Sequence, residues 1–148
     1  MTQRAIDGPY IYFVTTNTTF RLEVFGVPEY ATIMGKLIQQ TCIEFGFELF
    51  AYCIMPDHVH MLVKKSGSVT VSRLMKHIKG RFWRVISGGS GNRIWQPRFN
   101  FRIVDNEEYF SNVIQYIIHN YQKAKIEDHY GKAPFVFVDW KQIHDMFE

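Results

Sequence analysis

Ala51-Tyr52-Cys53-Ile54-Met55-Pro56-Asp57-His58-Val59-His60-Met61-Leu62-Val63-Lys64-Lys65 is the stretch on which the reading of this chain turns. Pro56-Asp57 has turn chemistry, since proline presets φ and aspartate bonds its own backbone. The apolar runs on either side, Phe47–Met55 and His58–Lys64, therefore read as two strands of one hairpin. Side chains two apart on a strand share a face. His58 and His60 thus project from one side of a sheet, with Val59 and Met61 on the other. Two imidazoles on a rigid strand form half of a metal site. The pair alone is a weak motif, because strand histidines are as often packed as ligating, and it needs a third ligand or a nucleophile from elsewhere.

Upstream of the hairpin, Tyr10–Thr16 is aromatic and β-branched, a strand signature. Asn17–Phe25 is ambiguous; the alternation of Phe20, Leu22 and Val24 suggests an extension of the sheet edge. Pro28 opens a helix to about Phe45, with Ile33, Leu37, Ile38 and Thr41 at helical spacing and Gly46 as its stop. Downstream, Ser66-Gly67-Ser68 is a turn and Val69–Ile86 a helix, with an inner stripe of Val71, Leu74, Met75, Ile78, Phe82 and Ile86. Ser87–Asn92 is a flexible loop, and the aromatic run from Ile94 to Val104 is a strand. Asp105-Asn106-Glu107-Glu108 starts a third helix reaching about Ile126, with acids where the helix dipole favours them. Its stripe is Phe110, Val113, Ile114, Ile117 and Tyr121. Gly131–Pro134 breaks the pattern and leaves an aromatic tail of undetermined structure. The order β-α-β-β-α-β, followed by one more helix, predicts an α+β, ferredoxin-like antiparallel sheet of four strands with two helices on one face.

At 148 residues, with neither repeat nor low-complexity linker, one domain over 1–148 is expected, 127–148 forming a tail. Two cysteines, Cys42 and Cys53, lack any paired spacing and read as buried thiols of a reducing compartment. With no leader pattern and no long apolar run, a cytoplasmic protein that engages no membrane is expected.

A formal charge of +3 permits a nucleic-acid partner without demanding one. The local pattern says more. The outer face of the second helix carries Arg73, Lys76, His77, Lys79, Arg81 and Arg84 and no acid. Solvated faces usually mix signs, so this imbalance suggests a polyanion. On the following strand Arg98 and Arg102 interleave with Trp95, Phe99 and Phe101, as suits phosphate contact and base stacking. On the third helix Tyr116 and Asn120 share a face one turn apart. An amide oxygen suits a hard metal beside two imidazoles, and a phenol can serve as a nucleophile. Residue chemistry alone does not separate Tyr116 from Tyr109, Tyr121 or Tyr130.

A family resemblance separates them. Met55-Pro56-Asp57-His58-Val59-His60-Met61-Leu62-Val63 resembles the histidine–hydrophobe–histidine (HUH) motif of single-tyrosine transposases, in particular the REP-associated group. Trp95-Gln96-Pro97 with Phe99 is similar to the segment before that family's last helix. Tyr116-Ile117-Ile118-His119-Asn120-Tyr121-Gln122-Lys123-Ala124 resembles its Tyr-Ile-x-x-Asn-Pro-x-x-Ala segment. The likeness spans Tyr10 to Ile126. It implies that His58 and His60 bind a divalent metal, Mg²⁺ or Mn²⁺, that Tyr116 is catalytic, and that Asn120 is the third ligand, with His119 its rival. Tyr121 stands where the family carries proline, so the helix can continue unbroken. The implied activity is cleavage and rejoining of single-stranded, hairpin-bearing DNA through a 5′-phosphotyrosine, with Arg73, Lys76, Lys79, Arg81, Arg84, Arg98 and Arg102 as DNA contacts. Related transposases include dimers that exchange the tyrosine helix, so a homodimer is among the implied partners. The alternatives are a DNA-binding module of the same fold without the chemistry, and a water-using metal hydrolase. Met61, Leu62 and Val63 follow the histidines where a hydrolase would place further ligands.

Overall fold

A computed structural model describes residues 10–88 and 93–147. The chain runs β1 (Ile11–Thr18), α1 (Pro28–Glu44), β2 (Phe47–Met55), β3 (His58–Lys65), α2 (Val71–Ser87), β4 (Trp95–Val104), α3 (Glu107–Lys123), β5 (Val136–Val138) and α4 (Trp140–Phe147). The sheet is antiparallel in the order β4-β1-β3-β2-β5, which puts the histidine strand at its centre.

Local chemistry sets the element boundaries. Gly46 ends α1 at φ +74°, where a Cβ would be strained. The Thr70 hydroxyl caps α2 by accepting from the Arg73 amide at 3.2 Å, and Asn106 Oδ1 caps α3 by accepting from the Tyr109 amide at 2.7 Å. Each such cap contributes about 1 kcal/mol.

Three sequence expectations are corrected. The tail is structured: Val136–Val138 pairs with β2 and α4 follows it, so the sheet has five strands rather than four. Burying the outer edge of β2 removes a row of open backbone groups. The segment after Thr18 does not extend the sheet, since the Thr18 hydroxyl donates to the Leu22 carbonyl at 2.7 Å and folds the chain into short 3₁₀ turns. Finally, α1 buries Ala31, Met34, Gly35, Ile38, Thr41 and Cys42, a face rotated from the expected stripe. The expected flexible loop lies partly outside the described residues, at 89–92.

Both faces of the sheet are covered. On one, Tyr12, Val14, Val59, Met61 and Val63 pack against α1 and α2, including Met34, Ile38, Leu74, Ile78 and Phe82. On the other, Phe50, Ala51, Cys53, Met55 and Leu62 meet Phe110, Val113, Ile114 and Ile117 of α3 and Ile143 of α4. A register shift between Leu49 and Ala51 turns Phe50 and Ala51 to the same side, widening the seat for α3. Each fully buried side chain of Leu or Phe size contributes about 1.5–3 kcal/mol, so α3 is firmly seated on β2 and β3. Any polar group beneath it must therefore find partners.

Candidate active site

His58 and His60 lie on the sheet face that α3 covers, and Val59, Met61 and Val63 belong to the other core. Each imidazole is held from its Nδ1 side. His58 Nδ1–H donates to Asp57 Oδ1 at 2.7 Å, and Asp57 Oδ2 accepts from Arg21 Nε at 2.8 Å. His60 Nδ1 is in hydrogen-bond contact with Thr15 Oγ1 of β1 at 2.8 Å. The rings sit 4.8 Å apart and nearly perpendicular, at 78°. The acceptor-only carboxylate sets the His58 tautomer and leaves its Nε2 as the free lone pair. The Thr15 hydroxyl, able to donate or accept, fixes the orientation of the His60 ring. Partners at Nδ1 are what metal-ligating histidines use. Burial alone would raise the Asp57 carboxyl, but the hydrogen bonds from Arg21 and His58 outweigh it and hold the group below its usual value. Burial, and secondarily the charge of His58, pushes His60 down to about 3. His60 is therefore a neutral imidazole at any physiological pH, as metal ligation requires.

Tyr116 of α3 lies over this pair. Its ring is 5.3 Å from that of His60 and meets Phe13 edge-on at 5.9 Å. Lys123, two turns further along α3, places its ammonium 4.9 Å from the same ring. Fully buried Ile117 anchors the helix here, while Tyr116 stays partly open to solvent. Asn120, one turn beyond Tyr116, is only 5% exposed, whereas His119 is exposed. Of the two rival third ligands, Asn120 is the one turned inward.

Two buried polar atoms on this side have no hydrogen-bond partner, His60 Nε2 and Asn120 Nδ2. Leaving such groups unmet costs about 1–3 kcal/mol each. The two ends of a carboxamide are nearly isosteric, so half a turn presents Oδ1 in place of Nδ2. A third orphan, Thr16 Oγ1, belongs to the opposite face of β1. Among the described residues no cluster of three His, Cys, Asp or Glu that could hold a metal exists, and, besides His60, the buried polar side chain on this side of the sheet is the Asn120 amide. Cys53 pairs across from His60, and burial pushes its thiol up to about 12, so without a bound cation it stays a neutral thiol. The donor set of two imidazole Nε2 atoms and an amide oxygen fits a hard, oxygen-tolerant divalent cation.

The basic side chains divide between the two faces. Asn100 pairs with Thr15 and Arg102 with Phe13, so both lie on the histidine face, and both are exposed. Arg98, beside the register shift between Thr16 and Thr18, is exposed as well. Helix α2 instead lies behind the sheet. Its Arg73, Lys76 and Arg84 are exposed, but two of its cations are engaged. Arg81 donates twice to Glu44, at 2.9 and 3.0 Å, and Lys79 Nζ donates to the Gln96 carbonyl at 2.7 Å. The acid missing from this face in the sequence comes from α1. Between α2 and β4 runs a groove of about 520 Å³ lined by Lys76, Lys79, Trp83, Arg93, Trp95 and Phe99, joining the basic face to the aromatic strand.

Sequence reasoning missed Thr15, Phe13, Arg21 and Lys123. Thr15 and Phe13 become visible only through the β1–β3 register, and Arg21 only through the fold of its turn. Lys123 carried a signal: it stands seven residues from Tyr116, on the same helix face.

The family model described as "Transposase IS200 like" matches residues 10–120. A Haemophilus influenzae protein assigned as a REP-associated tyrosine transposase is 26% identical over 122 residues, covering 74% of this chain and 69% of its own length. The structure of a REP-associated tyrosine transposase bound to a REP hairpin superposes with a TM-score of 0.73 at 22% identity, covering 86% of this chain and 76% of the other. A crystal structure of a protein assigned as a transposase from Deinococcus radiodurans R1 gives a TM-score of 0.56 at 24% identity, over 74% and 88% of the two chains. The structural likenesses establish the α+β fold, and the family model establishes kinship.

Proposed function

The chain belongs to the IS200-like transposase family, and from that premise we propose that it cleaves and rejoins single-stranded, hairpin-bearing DNA with Tyr116 as nucleophile. The observation that carries this reading is Tyr116 set 5.3 Å over His60, with the unpartnered Nε2 of His60 on the same side of the sheet. His58 and His60 through Nε2, and Asn120 through Oδ1, would hold Mg²⁺ or Mn²⁺. Such an ion, when bound, supplies Lewis-acid polarisation and orientation of a phosphate oxygen.

The chain's own groups do the rest. Tyr116 gives up its phenolic proton as its oxygen bonds to phosphorus, and the bond from phosphorus to the 3′ oxygen breaks. That oxygen takes a proton and leaves as a 3′ hydroxyl, with the 5′ side held as phosphotyrosine. One phosphoester replaces another, so the reverse attack by a 3′ hydroxyl reseals the strand without an external energy source. Lys123, at 4.9 Å from the ring, places positive charge where the phosphoryl group arrives. Arg102 on the site face, Arg98 beside the register shift of β4, and Arg73, Lys76 and Arg84 behind the sheet are available for the DNA backbone. A second reading, a binding module without chemistry, is favoured by the basic and aromatic groove on the face away from Tyr116.

The deciding experiment mixes the protein with labelled hairpin-bearing strands, with and without Mn²⁺, and resolves the products on a denaturing protein gel. A labelled, metal-dependent adduct that disappears in Tyr116→Phe is expected, with DNA binding retained. Binding without an adduct would establish the module instead. Cleavage with no adduct would mean that water is the nucleophile.

A further inference from the structure

We infer that the site face of β4 is the track on which the single strand lies, and that Asn100 is the residue that reads a base beside the cleaved phosphate. The inference rests on the nucleic-acid reading above and assigns its sequence discrimination. Helix α3 and its core cover β2, β3 and the Val104 end of β4. The remainder of β4 on this face is bare, with Asn100 and Arg102 both exposed, and Arg98 is exposed beside the register shift at its end.

The register places this bare strip beside the candidate site. His60, Thr15 and Asn100 form one cross-strand row, and Leu62, Phe13 and Arg102 form the next. Adjacent strands lie about 4.8 Å apart, so Asn100 stands roughly 10 Å from His60 across the sheet. β4 is also an outer strand, and no further strand pairs with it on its far side among the described residues. A polymer reaching the histidines from that edge crosses Asn100 and Arg102 first, with Arg98 at the end of the same strand.

Their chemistry divides the work. From Trp95 to Val104 the strand contains no acid, so Arg98 and Arg102 give it unopposed positive charge for a phosphate backbone. Asn100 adds no charge. Asparagine is disfavoured in strands, and among the described residues its carboxamide makes no hydrogen bond that would explain its place. Facing a polyanion beside Arg102, what it offers is a paired donor and acceptor in one plane. That pair matches an adenine edge, the base asparagine contacts bidentately.

The test varies each nucleotide flanking the cleaved phosphate of a hairpin-bearing strand through A, C, G and T. Affinity and Tyr116 adduct formation are measured for wild type, Asn100→Ala and Arg102→Ala. Wild type should prefer adenine at one flanking position by roughly 5- to 100-fold. Asn100→Ala should erase that preference while binding the disfavoured strands within about twofold of wild type, with its salt dependence unchanged. Arg102→Ala should weaken all four strands alike, keep the preference, and flatten the salt dependence by about one phosphate contact. An adenine preference that survives in Asn100→Ala, an equal loss on all four strands, or no base preference in wild type overturns the assignment of Asn100 while leaving the Tyr116 chemistry standing. A wild-type protein that neither binds nor forms adducts with any strand refutes the parent reading, a separate outcome on the same gel.

Discussion

Acid should destabilise this protein through His60, by an amount the structure sets. The folded-state value is about 3 against 6.5 for an ordinary histidine, because the ring is buried and faces His58. Between those two values the unfolded chain binds a proton that the folded one refuses, so stability rises with pH across this window. The contribution is intact above 6.5 and is lost progressively as the pH falls towards 3. At pH 5 the loss amounts to about 2 kcal/mol, and below pH 3 it tends to about 5 kcal/mol. Against a typical domain stability of about 5–15 kcal/mol, the first figure is readily measured and the second approaches unfolding. The assay is urea unfolding, followed by tryptophan fluorescence, at pH 7.5 and pH 5.0 in the presence of EDTA. Wild type is compared with His60→Gln. Other groups titrate in both proteins, Asp57 among them, so the difference between the two pH dependences isolates His60. Wild type should lose about 2 kcal/mol more than the variant. Equal losses would mean that the imidazole protonates in place, and the buried, partnerless Nε2 on which the metal-site argument depends would be wrong.

Asp57→Ala frees the His58 ring to turn, and should weaken Mn²⁺ binding by about 10- to 100-fold in calorimetry; unchanged affinity would show that His58 needs no orienting carboxylate. Gly131→Ala should lower the melting temperature by the equivalent of about 1–3 kcal/mol, because the new methyl would enter the ring of Tyr121. The same change made in Tyr121→Ala should cost far less, and an equal cost in both backgrounds would place the strain elsewhere. Lys76→Gln should reduce the salt dependence of DNA binding by about one phosphate contact, while Arg81→Gln, already paired with Glu44, should leave it nearly unchanged. The reverse order would show that Arg81 abandons Glu44 for DNA.

Much of the fold was legible because its signals are local. The hairpin around Pro56-Asp57, the Gly46 stop and the stripes of α2 and α3 each depend on residues within one element. Val71, Leu74, Met75, Ile78 and Phe82 are buried as their spacing predicts, as are Phe110, Val113, Ile114 and Ile117. What escaped depended on distant partners. Val136–Val138 is too short to announce itself as a strand and is one only because β2 offers an open edge. Phe20, Leu22 and Val24 alternate like a strand, yet Thr18 hydrogen-bonds across them and Phe20 and Arg21 adopt positive φ. A periodic pattern carries no information about a hydroxyl that outcompetes the ladder.

The candidate site divides along the same line, and the division explains why the tyrosine needed a resemblance to be found. His58 and His60 share a face by strand geometry alone, and the structure keeps them there. Tyr116 had no local mark against Tyr109, Tyr121 or Tyr130, because what distinguishes it is a crossing. Helix α3 lies over β2 and β3 at the height where Phe13 and His60 are neighbours across two strands. That height is set by Ile114 and Ile117 packing on Leu62 and by the extra residue at Phe50, none of which carries chemistry. Tyr121, at the position where the resembled segment usually has proline, works in the same direction. The helix runs on without a break to Lys123, and Tyr121 packs against Gly131 in the turn leading to β5. Tyr121 thereby ties the tyrosine helix to the turn before the strand that completes the sheet, and Lys123, on the same unbroken helix, lies over the ring of Tyr116. Tyr121→Pro should therefore end α3 early, remove Lys123 from the tyrosine, and slow adduct formation more than it weakens DNA binding. A variant slowed equally in both would show that the tail stabilises the fold without positioning the nucleophile.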